Sequence, residues 1–294
     1  MGERSDGVTD TELRTRGRHS GVGRSLLVVA AIVVIGVVAI VALGLGHSHH
    51  NTTPTTTALV APKPFRVVFP EGFTRTEMAH RVQVVAGIAH RERGVQPKLA
   101  AKTYLAATGP RRIPGFGPQK RPLEGFLFPA TYDFLTQTTS RQLVQSQLTA
   151  FRQNWSKLNL SYARAHGLTP YDVLIIASMI EGEAQVASER AKISAVIYNR
   201  LRAHMPLQID ATTRYGLHIP PTQSLTQSEL HSDNPYNTRD RVGLPPTPIG
   251  NPGLASLKAA AHPANADYLY YVRLPDHRHH YFTDNYQDFL NHGG

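Results

Sequence analysis

The clearest hydrophobic pattern in the chain is an almost uninterrupted apolar run that ends at Glu181. Thr169 and Pro170 before it are typical of a helix start, a side-chain cap followed by a proline whose missing amide hydrogen is not needed there. Nearly every position of residues 173–180 is apolar, and a helix that is apolar on all sides lies inside its domain. The pattern therefore predicts a buried central helix whose apolar stripe is extended by Glu181.

The other patterns predict strands and helices on both sides of this helix. Residues 65–69, FRVVF, alternate as a strand does, and Thr74 with Glu77 forms a capping box that opens a helix. A further amphipathic helix begins at about Ser140, and the segments YLYYVR and HYFT within residues 268–283 predict a hairpin. This mixture predicts an α+β fold.

A long apolar segment, Leu26–Leu45, contains neither charge nor proline. A helix of about 20 such residues is long enough to cross a bilayer. The segment therefore predicts an uncleaved transmembrane helix; a cleaved signal peptide is the alternative, although its apolar part is usually shorter. We expect five segments: a tail (1–24), a transmembrane helix (25–46), a linker (47–64), a small βα module (65–122) and a mixed α+β domain (123–294).

The distribution of charged residues predicts how the chain is oriented across a membrane and which class of partner it binds. Five arginines precede the apolar span and no lysine or arginine follows it closely, so the positive-inside rule predicts a cytoplasmic N-terminus and an extracytoplasmic bulk. The chain carries a formal net charge of +10, which suits an anionic polymer or membrane surface. Nucleic acid is not expected as a partner, because the outer part has no dense basic stripe or aromatic-rich motif. The chain has 0 cysteines, so disulfides and a thiol nucleophile are excluded.

The candidate for chemistry is the acid at the end of the apolar helix. Burial of Glu181 against an apolar stripe would favour the protonated carboxyl group that general acid catalysis needs. The alternative is a structural carboxylate paired with Arg190 or Arg200. Glu183 lies about 200° further round the helix and would not face the same bond. If a second carboxylate acts, Asp210 is the better candidate, since glycoside hydrolysis normally uses two acids.

These residues carry a family resemblance. Residues 181–216, EGEAQVASERAKISAVIYNRLRAHMPLQIDATTRYG, resemble the signature of the membrane-anchored endolytic murein transglycosylases, the YceG-like family. That family carries E-K-E, E-R, N-R-L and M-x-L-Q-x-D-P-T-x-x-Y-G in this order. Further matches are EGFLFPATY, NPYNT, GLPPTPIGNPGLASLKAA, YLYYV and HYF. This chain departs from the pattern at Gly182, Ala211 and Ala130, where the family has lysine, proline and aspartate.

The resemblance implies cleavage of peptidoglycan between N-acetylmuramic acid and N-acetylglucosamine, with formation of a 1,6-anhydro ring and with no metal or cofactor. By position, Glu181 would be the acid. The residues implied in sugar binding or in support of the site are Glu183, Asn199, Gln208, Asp210, Tyr236, Asn237 and Thr238. For each of them a structural hydrogen bond is an equal alternative. His280, at the family's His-x-Phe position, is expected on the hairpin surface.

The resemblance also implies that module 65–122 is LysM-like and that 123–294 is the catalytic domain. It further implies a single-pass membrane protein that terminates nascent glycan strands and meets wall synthases and division proteins. Two alternatives stay open. One is a peptidoglycan hydrolase in which Asp210 places water, and the other is a non-catalytic scaffold that binds the wall.

Overall fold

A computed structural model of the protein describes residues 63–294. The tail, the predicted transmembrane helix (25–46) and nearly all of the predicted linker lie outside the described residues. Within the described part, no helix combines the length and the apolar character that a bilayer-spanning segment needs. All of these residues lie in one compact unit, Leu59–Gly294.

The described residues form a mixed α+β fold, as predicted. The helices are α1 (Arg75–Arg93), α2 (Ala101–Ala107), α3 (Ser140–Trp155), α4 (Ser161–Ala165), α5 (Pro170–Glu183), α6 (Arg190–Arg202), α7 (Asp210–Leu217), α8 (Gln227–Leu230), α9 (Leu254–Ala261) and α10 (Tyr286–Asn291). The strands are β1 (Phe65–Val68), β2 (Arg111–Arg112), β3 (Lys120–Arg121), β4 (Thr131–Phe134), β5 (Tyr270–Arg273) and β6 (His280–Thr283). They form three antiparallel pairs, β1 with β4, β2 with β3 and β5 with β6.

Helix α5 is the buried central helix that the apolar pattern predicts. Its start is capped reciprocally: the Thr169 hydroxyl oxygen accepts the Asp172 backbone N–H at 3.2 Å, and the Asp172 carboxylate accepts the Thr169 N–H at 2.8 Å. Every residue from Val173 to Ile180 is buried. The helix packs against α9, α6 and α7. An apolar surface on all sides is thus covered by neighbouring helices, as the hydrophobic effect requires.

The N-terminal strand and helices form a βααβ unit in which β1 pairs with β4, in the register Phe65 opposite Phe134. Helices α1 and α2 pack against each other, and α1 packs on β1. Because β4 begins at Thr131, this unit extends past residue 122, where the sequence pattern had placed a boundary. Strand pairing joins residues 65 and 134, which local patterns along the chain do not reveal.

Two sets of contacts hold this unit to the rest of the domain. Asn251 exchanges backbone hydrogen bonds with the turn after β1: its carbonyl accepts Gly72 N–H at 2.8 Å, and its N–H donates to Phe73 O at 3.0 Å. A Cβ on Gly250 would lie 2.3 Å from the Gly72 carbonyl oxygen, so only glycine permits this approach. The turn is thereby fixed beside the C-terminal end of α5.

The remaining predicted elements are found close to their predicted bounds. Helix α3 buries Leu143, Val144, Leu148 and Phe151, as its amphipathic pattern indicates. The C-terminal hairpin is β5–β6, with Arg273 opposite His280. This hairpin packs against α6 and α10 and borders the site described next.

Candidate active site

A cleft of about 1300 Å³ opens at the C-terminal end of α5. Its walls come from the end of α5, the start of α7, the β5–β6 hairpin and the first turn of α1. The polar side chains of its lining that bear on the argument are Glu183, Gln208, Asp210, Arg239, Tyr271 and His280. The buried helix therefore ends in a cavity with several charged groups, an arrangement typical of active sites.

Glu183 is the carboxylate that α5 presents to this cleft. The Tyr271 hydroxyl donates a hydrogen bond to its Oε2 at 3.1 Å. Burial raises the pKa of Glu183, and the negative charge of Asp210 raises it further. The Tyr271 hydrogen bond and the charges of His280 and Arg273 act in the opposite direction. A carboxyl group with a raised pKa in a cleft is suited to donating a proton near neutral pH.

Glu181, the acid predicted from the apolar stripe, lies in different surroundings. Its side chain is 7% exposed and forms an ion pair with Arg190, Nη2 to Oε1 at 3.5 Å. Its other oxygen accepts the Gly253 backbone N–H at 2.9 Å. The structure thus shows the pairing with Arg190 that the alternative describes. Arg190 and Gly253 belong to α6 and the α9 cap, which the pattern of α5 cannot reveal.

Sequence analysis missed a third carboxylate, Glu71, which lies in the turn after β1. A Cβ on Gly253 would come within 1.8 Å of Glu71 Oε1, so the Glu71 carboxyl group rests directly on this glycine. Burial raises the pKa of Glu71, the charge of Glu181 adds to the rise, and Arg190 opposes it. The turn motif Pro-Glu-Gly does not indicate that Glu71 lies beside Glu181, because its neighbours Glu181, Arg190 and Gly253 are far along the chain.

Two predicted groove residues do line the cleft beside Glu183, namely Gln208 and Asp210. Gln208 is exposed and has a left-handed backbone (φ 54°), and its side-chain oxygen accepts Arg200 Nη1 at 3.0 Å. Asp210 opens α7, and its Oδ1 accepts a hydrogen bond from Arg239 Nε at 2.8 Å and forms an ion pair with Arg239 Nη2 at 2.7 Å. Its carboxylate is therefore held by one guanidinium group.

Three of the predicted residues are instead buried parts of the framework. Asn237 is 0% exposed and donates to the carbonyls of Leu230 and Ser232 at 3.0 and 2.9 Å. The Thr238 hydroxyl accepts the Ile209 N–H at 3.1 Å. Asn199 donates from Nδ2 to two carbonyls of the segment before β5, each at 2.9 Å. For these three, the structure shows the alternative of a structural hydrogen bond.

Tyr236 and Arg200 also support the site. The Tyr236 hydroxyl hydrogen-bonds Thr247 Oγ1 at 2.8 Å, and this side chain is not among those that line the cleft. Arg200 lines the cleft and fixes the segment before α7, because Nη1 donates to the carbonyls of Pro206 and Leu207 at 3.1 and 3.0 Å. Burial lowers the pKa of Arg200. Arg200 is not the partner of Glu181.

His280 is buried rather than on the hairpin surface, so that expectation was wrong. Its side chain is 2% exposed, and its Nδ1 lies 2.8 Å from Glu189 Oε2. Strand β6 turns this side chain inward, where it lines the cleft. A hairpin pattern alone does not tell which of its two faces is covered.

Glu124, in the EGFLFPATY motif, is a further buried acid that the sequence analysis had not assigned to the site. Its carboxylate accepts the Arg75 backbone N–H at 3.0 Å, Asn251 Nδ2 at 3.0 Å and the Tyr215 hydroxyl at 3.0 Å. Burial raises its pKa to about 7, against these hydrogen bonds. Glu124 thereby connects α1, α7 and the loop before α9 at the edge of the cleft.

Comparison with known proteins places these features in a known context. A family model described as the YceG-like family matches residues 47–293. An endolytic murein transglycosylase of Bacillus subtilis is 36% identical over 211 residues, which cover 68% of this chain and 58% of that protein. An endolytic murein transglycosylase of Streptococcus pneumoniae is 29% identical over 243 residues, 76% of this chain and 43% of that protein.

A solved structure agrees with the fold. The crystal structure of a YceG-like protein from Listeria monocytogenes superposes with a TM-score of 0.63 at 30% identity, covering 79% of this chain and 76% of that chain. The chain spans 58% and 43% of the length of the two curated relatives.

Proposed function

The chain belongs to the YceG-like family, and we propose that it is a lytic transglycosylase that cleaves the glycan strands of peptidoglycan. The similarity to two endolytic murein transglycosylases supports this substrate. So does the cleft, which at about 1300 Å³ is larger than a typical small-molecule site and suits several sugar units. The bond cleaved would be that between N-acetylmuramic acid and N-acetylglucosamine.

The observation that carries this proposal is the position of Glu183. It is the acid at the end of the buried helix that lines the cleft, and burial raises its pKa. We therefore assign the general acid to Glu183 in place of Glu181, whose carboxylate is paired with Arg190. Glu181 would instead hold the ends of α5, α6 and α9 together.

The reaction needs no water. Glu183 would protonate the glycosidic oxygen as its bond to muramyl C1 breaks, and the muramyl C6 hydroxyl would attack C1 to close a 1,6-anhydro ring. The proton of that hydroxyl must pass to a base, and the Glu183 carboxylate formed in the first step is one group able to receive it. Gln208 and Asp210 would contact the sugars, since both line the cleft.

The wider context is also a proposal. The apolar span Leu26–Leu45 and its flanking arginines support a single-pass anchor with the enzyme outside the cytoplasm. In that location the enzyme would terminate nascent strands and meet wall synthases and division proteins. The first turn of α1 borders the cleft, which supports glycan contact by the predicted LysM-like module 65–122.

The test is a digestion of purified peptidoglycan by the full-length protein, with mass analysis of the products. Release of 1,6-anhydromuramyl ends supports the proposal, and their loss in Glu183→Gln supports the assignment of the acid. Reducing ends alone would mean hydrolysis, with Asp210 placing water. Binding without any turnover, under conditions where a known lytic enzyme cleaves, would favour the scaffold.

A further inference from the structure

A buried carboxylate–histidine pair joins the turn before α6 to strand β6 and takes no part in the function described so far. Glu189, in the 3₁₀ turn Ala187–Glu189 that leads into α6, accepts both the backbone N–H of His280 at 3.0 Å and its Nδ1 at 2.8 Å. The two side chains are 7% and 2% exposed. One carboxylate thus holds both the backbone and the ring of the histidine.

The hydrogen bond between Glu189 and the His280 ring determines which ring nitrogen can act as a base. A carboxylate only accepts hydrogen bonds, so the Glu189 contact assigns a hydrogen to Nδ1 of His280. In the neutral ring, Nε2 then carries the lone pair. Within residues 63–294 Nε2 makes no hydrogen bond, and Ser194 Oγ is the one fully buried side-chain N or O atom without a partner. Nε2 therefore keeps a small accessible area, in a side chain that is 2% exposed. Because His280 lines the cleft, we assign that access to the cleft side.

The same ring lies close to the proposed acid. His280 packs edge to face on Tyr271, with ring centroids 5.3 Å apart, and Tyr271 donates its hydroxyl hydrogen to Glu183 at 3.1 Å. A histidine and an acid thus face one cleft, joined through one tyrosine.

We propose that His280, oriented by Glu189, is the catalytic base that takes the proton of the attacking sugar hydroxyl. This rests on the proposed function and deepens it. Glu183 gives its proton to the glycosidic oxygen as the C1–O bond breaks. The C6 oxygen bonds to C1, and its proton moves to His280 Nε2. The resulting imidazolium is stabilised by the Glu189 carboxylate, and proton transfer from His280 to Glu183 restores the enzyme.

The other acidic group beside Glu183 is less suited to this step. Asp210 is already bound by Arg239, through a hydrogen bond from Nε and an ion pair with Nη2, both to its Oδ1. Its side chain is also far more exposed than that of His280. The arrangement of a carboxylate, a histidine and a reacting hydroxyl is the one by which proteins commonly activate hydroxyl nucleophiles.

The test compares anhydromuramyl release by the full-length protein with that by three variants. His280→Ala is expected to lose activity by about 10²-fold or more, as for removal of a general base. Added imidazole should restore part of the rate of His280→Ala and none of that of Glu183→Gln. Glu189→Gln should lower kcat at unchanged KM, and it should also lower the melting temperature, because the amide has one acceptor oxygen for the two donors of His280. His279→Ala, at the exposed neighbouring position, is the matched control and should cleave normally.

The proposal is overturned if His280→Ala melts as the wild type does and cleaves at the wild-type rate. It is also overturned by a folded, inactive His280→Ala that imidazole does not rescue while Glu189→Gln is unimpaired, since His280 then only packs. If His280→Ala does not fold, Glu189→Gln is the test: a lowered kcat supports the proposal, and a wild-type kcat overturns it. Wild-type protein that releases no anhydro product refutes the proposed function itself, before any variant is compared.

Discussion

The Tyr271 hydroxyl donates a hydrogen bond to Glu183 Oε2 over 3.1 Å and so connects the C-terminal hairpin to the last residue of the buried helix α5. The two residues are 88 positions apart. Tyr271 therefore both aims the carboxyl group into the cleft and opposes the rise in its pKa that burial causes. This contact leads to the first two predictions.

Glu183→Gln and Glu181→Gln form a matched pair, the same change two residues apart on one helix. We expect Glu183→Gln to lose about 10²–10⁴-fold in kcat, the usual contribution of a general acid. Glu181→Gln should keep most of the activity and lose about 1–3 kcal/mol of stability, because Arg190 loses its charged partner. Anhydro product release and thermal melting measure both effects. The reverse order of activities would return the acid to Glu181.

The pH dependence of cleavage should move in opposite directions in two variants. Tyr271→Phe removes a hydrogen bond that stabilises the charged form of Glu183, so the pKa of Glu183 rises and the high-pH limb of the rate profile shifts upward. Asp210→Asn removes a negative charge, so that pKa falls and the limb shifts downward. Profiles of kcat for both variants and the wild type provide the measurement. Shifts in one common direction would mean that Glu183 does not set this limb.

Glu124 should make the stability of the domain depend on pH. Burial raises the pKa of Glu124 from 4.5 to about 7, so between these values the folded state binds more protons than the unfolded state. The stability that this group contributes is therefore fully present below about pH 4.5 and is lost as pH rises through about 7.

Glu124→Gln, which carries no titrating group, tests this directly. The difference in unfolding free energy between wild type and variant should change across this window in favour of the variant at high pH. Denaturant unfolding at several pH values measures it. A difference that stays constant with pH would show that Glu124 does not titrate in this range.

The junction between the βααβ unit and α5 should be sensitive to a single methyl group. A Cβ on Gly250 would lie 2.3 Å from the Gly72 carbonyl oxygen, so Gly250→Ala must push the two backbones apart. We expect a loss of about 1–3 kcal/mol, as for other overpacked sites. Gly87→Ala in α1 is the matched control, because a Cβ there meets only Arg91 Nη1 at 3.5 Å and a helix favours alanine over glycine. Thermal melting compares the two.

The positions of the individual elements could be predicted from sequence because they depend on nearby residues. The capping box of Thr169, the apolar residues 173–180 and the amphipathic face of α3 involve contacts within one or two helical turns, and the structure confirms them. The family signature likewise pointed to the end of α5, because its motifs are continuous in the chain.

The assignment of roles at that end depended on tertiary structure. Whether an acid on α5 faces a cleft or an arginine is decided by α6, α7, the α9 cap and the hairpin, and Tyr271 of the hairpin lies 88 positions from Glu183 along the chain. Glu181 meets Arg190 and Gly253, while Glu183 meets Tyr271 and the cleft. Burial and charge act on a carboxyl group through space, so residues distant in sequence raise the pKa of Glu183 beside the cleft, while its neighbour Glu181 is paired with Arg190.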